Sequence, residues 1–211
     1  MSVFDQVYPR KNTNSLKWDK MDKVYNMEDT SELLAMWVAD MDFAPPQAVL
    51  DALHKRLDHP IFGYSLINDD CRSAIVSWFK RRHNWTIDPN TILFQSGVVP
   101  AIANIIDTFT QVGDKIVVST PIYPPFFNVP KNQKRELILC DLHEENGIYS
   151  FNFDTLEAAF KEAKMYILCN PHNPGGMTWS KADLEKIIEL AIKHDVFILS
   201  DEIHADLLID G

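Results

Sequence analysis

The densest group of reactive side chains lies in Ile198-Leu199-Ser200-Asp201-Glu202-Ile203-His204-Ala205-Asp206, where three carboxylates and an imidazole follow directly on an apolar run. Charge at such a position is costly unless it is used. One use would be a divalent-metal cluster of Asp201, Glu202, His204 and Asp206, but that leaves a second unusual segment unexplained. This segment is Cys169-Asn170-Pro171-His172-Asn173-Pro174-Gly175-Gly176, whose two Asn-Pro pairs and two glycines fix a turn with amide side chains at a strand edge. Two further loops suit a small ligand. Gln95-Ser96-Gly97-Val98-Val99-Pro100 leads into a helix and would gather free backbone N–H groups into a phosphate cradle; an ordinary Ser96 N-cap with proline at the helix start is the alternative. Ser119-Thr120-Pro121-Ile122-Tyr123-Pro124-Pro125-Phe126 stiffens Tyr123 between prolines, so its ring could stack on a planar ligand or simply pack under the turn.

Each loop follows a short apolar run. Ile92-Leu93-Phe94, Ile116-Val117-Val118, Leu137-Ile138-Leu139, Tyr166-Ile167-Leu168 and Val196-Phe197-Ile198-Leu199 read as strands, most of them separated by helices over about 101–111, 154–163 and 181–194. Apolar strands alternating with helices predict an α/β fold with a mainly parallel sheet covered on both faces, and ligands then bind at the carboxyl ends of the strands. Upstream, residues 1–44 are irregular, with scattered Trp18, Tyr25 and Trp37. Pro45-Pro46 opens a helix carrying Val49, Leu50, Leu53 and Leu57, and Pro60 stops it. A second helix over 70–83 is expected to turn Ile75, Trp78 and Phe79 inward and to end in Lys80, Arg81 and Arg82. The expected organisation is therefore an arm, 1–44, belonging to a second, smaller domain, joined to a larger domain, 45–211.

The 211 residues amount to about 1.4 domains at ~150 residues each, with 46% apolar and 24% charged residues, so the chain builds a real core. A net charge of −10 argues against nucleic acid as a partner. The longest apolar run, 33–39, falls far short of the ~18–20 residues that span a bilayer. The first twelve residues carry no signal-peptide pattern, and the cytoplasm is the expected compartment. Cys71, Cys140 and Cys169 are odd in number and widely spaced, which suggests buried, reduced thiols. No GxGxxG, GxxxxGK[ST], GxSxG or HExxH occurs, so dehydrogenase, P-loop and hydrolase readings lose support.

In order, GVVP, PIYPPF, NPHNPGG and SDEIHADL resemble the fold-type I pyridoxal-phosphate enzymes of the class I/II aminotransferase group, over essentially the whole chain. Trp37-Val38-Ala39-Asp40-Met41-Asp42-Phe43, and His204 where many aminotransferases carry tyrosine, resemble the cystathionine β-lyase-like C–S lyase branch. The resemblance implies pyridoxal 5'-phosphate as cofactor and β-elimination on an amino acid such as cystathionine or cysteine, releasing thiol, pyruvate and ammonia. It assigns Asp201 to the pyridine nitrogen, Asn173 to the ring oxygen, Tyr123 to the ring face, and Gly97, Val98 and Val99 to the phosphate. His204 would contact the ring oxygen or merely pack beneath the cofactor. Tyr64 would reach the phosphate of a neighbouring subunit in a homodimer with shared sites. An aminotransferase, or an inactive binding protein on the same fold, would use the same residues. All fourteen lysines precede Asp201, whereas the family's aldimine lysine follows that aspartate. Gly211 is therefore expected to be a truncation point, and these residues alone are expected to be inactive.

Overall fold

The computed structural model describes residues 2–207; Gly211 and the truncation expected there lie outside the described residues. The chain divides into two compact units, one ending at Ile75 and the other beginning at Val76, so the division falls inside a helix rather than at 44/45.

The first unit contains α1 (Leu16–Asp19), α2 (Met21–Tyr25), α3 (Gln47–Leu57) and the start of α4 (Asp69–His83). Its arm is organised by charge. Asp42 accepts from Lys17 Nζ at 2.8 Å and from Trp18 Nε1 at 2.9 Å, and Arg10 bridges Asp40 and Asp42. The Lys17 contact is the main cause holding the Asp42 carboxyl below its ordinary pKa. Trp37 Nε1 donates to Lys17 O at 3.0 Å. The WVADMDF segment is thus pinned at both ends by buried or half-buried polar partners.

The second unit follows with α5 (Val98–Phe109), β1 (Lys115–Thr120), α6 (Pro125–Asn132), β2 (Glu136–Asp141), β3 (His143–Glu145), β4 (Ile148–Ser150), α7 (Phe153–Phe160), β5 (Met165–Cys169), α8 (Lys181–His194) and β6 (Phe197–Asp201). Four strands form a parallel sheet in the order β2-β1-β5-β6, and β3 and β4 make a separate antiparallel hairpin. Alternation along each strand sends neighbouring residues to opposite faces. Ile116, Val118, Met165, Ile167, Cys169 and Leu199 pack with Ile102, Ile106 and Phe126, beneath α5 and α6. Val117, Tyr166 and Leu168 pack with Leu156, Phe160, Ile187 and Leu190, beneath α7 and α8. Both faces are covered, as the continuous apolar strands require.

Some expectations are corrected. Ile92-Leu93-Phe94 forms no strand; Leu93 is 84% exposed, and the segment runs straight into α5. The proline-rich stretch after Tyr123 becomes α6, since Pro124 at the N-cap and Pro125 at the first turn occupy positions where no N–H is needed. Trp78 is exposed because its indole is drawn to Asp206 rather than to a core. Cys71 is exposed, while Cys140 and Cys169 are buried. No described helix is long and apolar enough to cross a membrane.

Candidate active site

Four of the sequence motifs lie at the carboxyl edge of the parallel sheet; Leu199 and Ile122, which precede Asp201 and Tyr123, belong to the face covered by α5 and α6, whereas His172 of the Asn-Pro turn packs on Trp179 of the opposite face. Asp201 ends β6, and because Leu199 faces α5, Asp201, two residues on, faces the same way. It is 8% exposed, and its Oδ1 accepts from Ile203 N at 3.0 Å, which folds the chain back over the carboxylate. Its register partner is Cys169, the last residue of β5. Burial pushes the Cys169 thiol up, and the neighbouring Asp201 charge pushes it further.

From Cys169 the chain enters the Asn-Pro turn. Cys169 Sγ lies 3.3 Å from Pro171 O and accepts from Asn173 N at 3.4 Å, so the thiol holds the turn from inside. Asn170 Oδ1 accepts from Trp179 N at 3.1 Å, and Trp179 Nε1 donates to Cys169 O at 3.0 Å. Asn170 is thereby consumed by the turn, while Asn173 stands half-buried at the edge. One strand over, β1 ends at Thr120, whose hydroxyl bonds Asp141, and the following loop presents Tyr123, 40% exposed and edge-on to Phe126 at 5.8 Å. The peptides Thr120–Pro121, Asn170–Pro171 and Asn173–Pro174 are cis.

Helix α5 brings the fourth motif. Its last residue, Phe109, stacks on Phe197 at the start of β6 with ring centroids 4.4 Å apart. Twelve helical residues cover ~18 Å and five strand residues ~16 Å, so the helix, running back along the strand, brings its N-terminus to the carboxyl edge. Gly97, not Ser96, is the N-cap and makes no side-chain cap bond. Ala101 N donates to Gly97 O at 3.1 Å and Pro100 has no N–H, so the amides of Val98 and Val99 are the ones a helix start leaves over. With no acidic residue in the first turn, this end suits an anion.

The remaining carboxylates disperse. Glu202 takes the Ser200 hydroxyl at 2.8 Å, and Asp206 accepts from Trp78 Nε1 at 2.9 Å and pairs with His83 Nε2 at 3.0 Å. Among the described residues no three His, Cys, Asp or Glu side chains converge as a metal site. Asp206 is instead a clamp between α4 and the turn after β6. His204 lies half-buried in that turn, which is closed by Ala205 N to Glu202 O and Leu207 N to His204 O, both at 2.9 Å. Tyr64 lies in the first unit, where it is fully exposed.

A buried carboxylate, a free amide, an exposed aromatic ring and an uncapped helix start make a set that fits a flat heterocycle with a protonatable nitrogen and a phosphate. The family model for aminotransferase class I and II matches residues 32–211. The chain belongs to this family. It is 41% identical over 210 residues to cystathionine beta-lyase PatB of Bacillus subtilis (strain 168), covering 99% of this chain and 54% of that protein. Among solved structures it is similar to cystalysin from Treponema denticola, which contains a pyridoxal 5'-phosphate cofactor, with a TM-score of 0.91 and 40% identity over 98% of this chain and 52% of that one. It is also similar to the PLP-bound C-S lyase from Staphylococcus hominis, with a TM-score of 0.86 and 32% identity over 94% and 50% of the two chains. The chain spans about half the length of the curated relatives it matches.

Proposed function

We propose that the whole protein is a pyridoxal-phosphate-dependent C–S lyase, acting on cystathionine- or cysteine-type amino acids to release a thiol, pyruvate and ammonia. The observation that carries this reading is the buried Asp201 carboxylate, set beside the Cys169–Asn173 turn and on the α5 face of the sheet. When bound, pyridoxal phosphate supplies an electron sink that makes the α-proton of an amino acid acidic. Asp201 would keep a proton on the ring nitrogen, because a buried carboxylate strongly favours a cationic partner. Asn173 would donate its amide N–H to the ring oxygen, Tyr123 would cover one ring face, and the amides at Gly97, Val98 and Val99 would bind the phosphate. His204 would add a second donor to the ring oxygen from its Nε2–H or Nδ1–H.

We further propose that the lysine that would hold the cofactor is not among the fourteen in these residues, all of which precede Asp201. Lys115 opens β1 and pairs with Glu162, and Lys193, near the end of α8, pairs with Glu157; both sit at the amino edge of the sheet, at least a strand's length, ~16 Å, from Asp201. Lys181 pairs with Glu185 in solvent. The whole protein is further proposed to be a homodimer in which Tyr64, fully exposed, reaches the phosphate of the other subunit. Co-expression of Tyr64→Ala and Asp201→Ala subunits would then restore about one working site per heterodimer, and no recovery would refute the sharing.

Membership of the aminotransferase family favours one second reading, transamination, which would use the same residues. Pyruvate released from cystathionine without any keto-acid acceptor supports the lyase. Turnover that appears only when a keto acid is added establishes the transaminase instead.

A further inference from the structure

His172 is a buried titratable group that the proposed chemistry does not use. It is 3% exposed and sits between the two asparagines of the turn. Its surroundings are specific. Nε2 lies 2.9 Å from Pro121 O, and since a carbonyl only accepts, that nitrogen carries the proton. Burial pushes the imidazole below its ordinary pKa, against a smaller opposing pull from the Pro121 and Cys169 carbonyls, so the ring is neutral near pH 7 with a single N–H to give. The ring is packed by Trp179 at 5.2 Å and by Tyr149 of the hairpin at 6.4 Å between centroids. Its backbone closes the turn in both directions: His172 N donates to Met177 O at 2.6 Å, and Gly176 N donates to His172 O at 2.8 Å. Gly175 leaves the ring its space, because a Cβ there would lie 2.7 Å from His172 Cδ2.

Pro121 is two residues from Tyr123, and His172 is adjacent to Asn173. We propose that His172 is a positioning residue: its ring hydrogen bond to Pro121 O ties the loop after β1 to the turn after β5, and so sets the Tyr123 ring against the Asn173 amide. Hydrogen bonds between neighbouring strands stop at the strand ends, and beyond Thr120 and Cys169 this side-chain bond carries the registration onward. The consequence for cofactor binding rests on the function proposed above; the tie between the loops does not.

The test uses the whole protein with His172→Leu, His172→Gln and Gly175→Ala. The first removes the donor, the second keeps an N–H of similar reach, and the third leaves His172 in place but drives a methyl group into its ring. Amide hydrogen exchange is measured without added cofactor at Phe126 and Phe127, whose N–H groups donate to Tyr123 O and Pro124 O at 3.0 Å, with Val117 and Val118 of β1 as internal references. The dissociation constant and visible circular dichroism of added pyridoxal phosphate are then recorded. His172→Leu and Gly175→Ala should raise exchange at Phe126 and Phe127 about tenfold, the worth of one buried hydrogen bond, leaving the references unchanged, and His172→Gln should recover most of it. Cofactor affinity should fall by about the same factor, with an altered dichroic band. Should His172→Leu not fold, Gly175→Ala still decides the matter. Unchanged exchange at Phe126 and Phe127, or an equal rise at Val117 and Val118, overturns the proposal. If the exchange responds as expected but the unmodified protein binds no pyridoxal phosphate, the tie stands and the proposed function fails.

Discussion

Replacing Asp201 with asparagine removes one negative charge and almost nothing else. The retained side-chain oxygen can still accept the Ile203 N–H at 3.0 Å, and the volume at this 8%-exposed position is conserved. Stability should therefore change by no more than ~1 kcal/mol, and in the favourable direction if burying the charge costs more than its single backbone bond returns. Binding is a different matter. A hydrogen bond to a charged group is worth ~1.5–3 kcal/mol, which corresponds to roughly 10- to 150-fold in the retention of a cationic heterocycle. Equilibrium dialysis of pyridoxal phosphate against the whole protein, with urea unfolding in parallel, separates the two effects. The pyruvate-release rate at saturating cofactor should fall by at least the same factor, because the neutral amide cannot hold the ring nitrogen protonated. If Asp201→Asn binds and turns over within twofold of the unmodified protein, this carboxylate faces no cation, and the assignment of the strand end is wrong.

Cys71 is exposed, whereas burial holds the Cys169 thiol above its ordinary pKa and pushes Cys140 up to about 11, so one of the three thiols should react quickly with an aromatic disulfide in the native protein and all three after unfolding. Fast reaction at Cys140 or Cys169 in the native state would contradict the burial. Ser119 Oγ and Tyr166 OH, both buried and 3.0 Å apart, should show a coupling of ~1 kcal/mol in a Ser119→Ala/Tyr166→Phe cycle, because each single variant strands the other hydroxyl; strict additivity would refute the bond. Glu157 is held at about 2 by Lys193 first and His194 second, so its contribution is complete above its ordinary pKa of 4.5 and is lost as pH falls toward 2. Glu157→Gln should accordingly flatten the fall in stability between pH 4.5 and 2, and an unchanged acid limb would show that the pairing has no effect.

Continuous apolar runs next to helices identify β1, β2, β5 and β6 in the sequence, because strands buried on both faces leave no polar alternation. Ile92-Leu93-Phe94 has the same composition but forms no strand; three apolar residues cannot reveal whether a partner strand lies alongside. The β3–β4 hairpin, absent from the expected strands, does carry a local signal: Asn146-Gly147 adopt φ of 53° and 81°, as a two-residue hairpin turn with both central residues left-handed requires. The places of Asp201, Asn173, Tyr123 and the Gly97 helix start in the fold are legible, because each ends or follows a strand or opens a helix. The roles of His172 and Asp206 are not. Their partners, Pro121 O and the side chains of Trp78 and His83, lie about 50 and 125 residues away in the chain, and only the folded arrangement brings them together.

The order β2-β1-β5-β6 also sets where the chain spends its closure entropy. Strand β1 closes on β2 over about 20 residues and β5 on β6 over about 30, but β1 must find β5 across about 50. The pairing that costs most chain entropy is also the one that joins the Tyr123 loop to the Asn173 turn. A chain in which this pairing is open offers a ligand no assembled edge to bind. A small molecule that recognises this edge therefore binds only the chain in which β1 and β5 are joined, and holds together the one closure that spans the longest loop of the sheet.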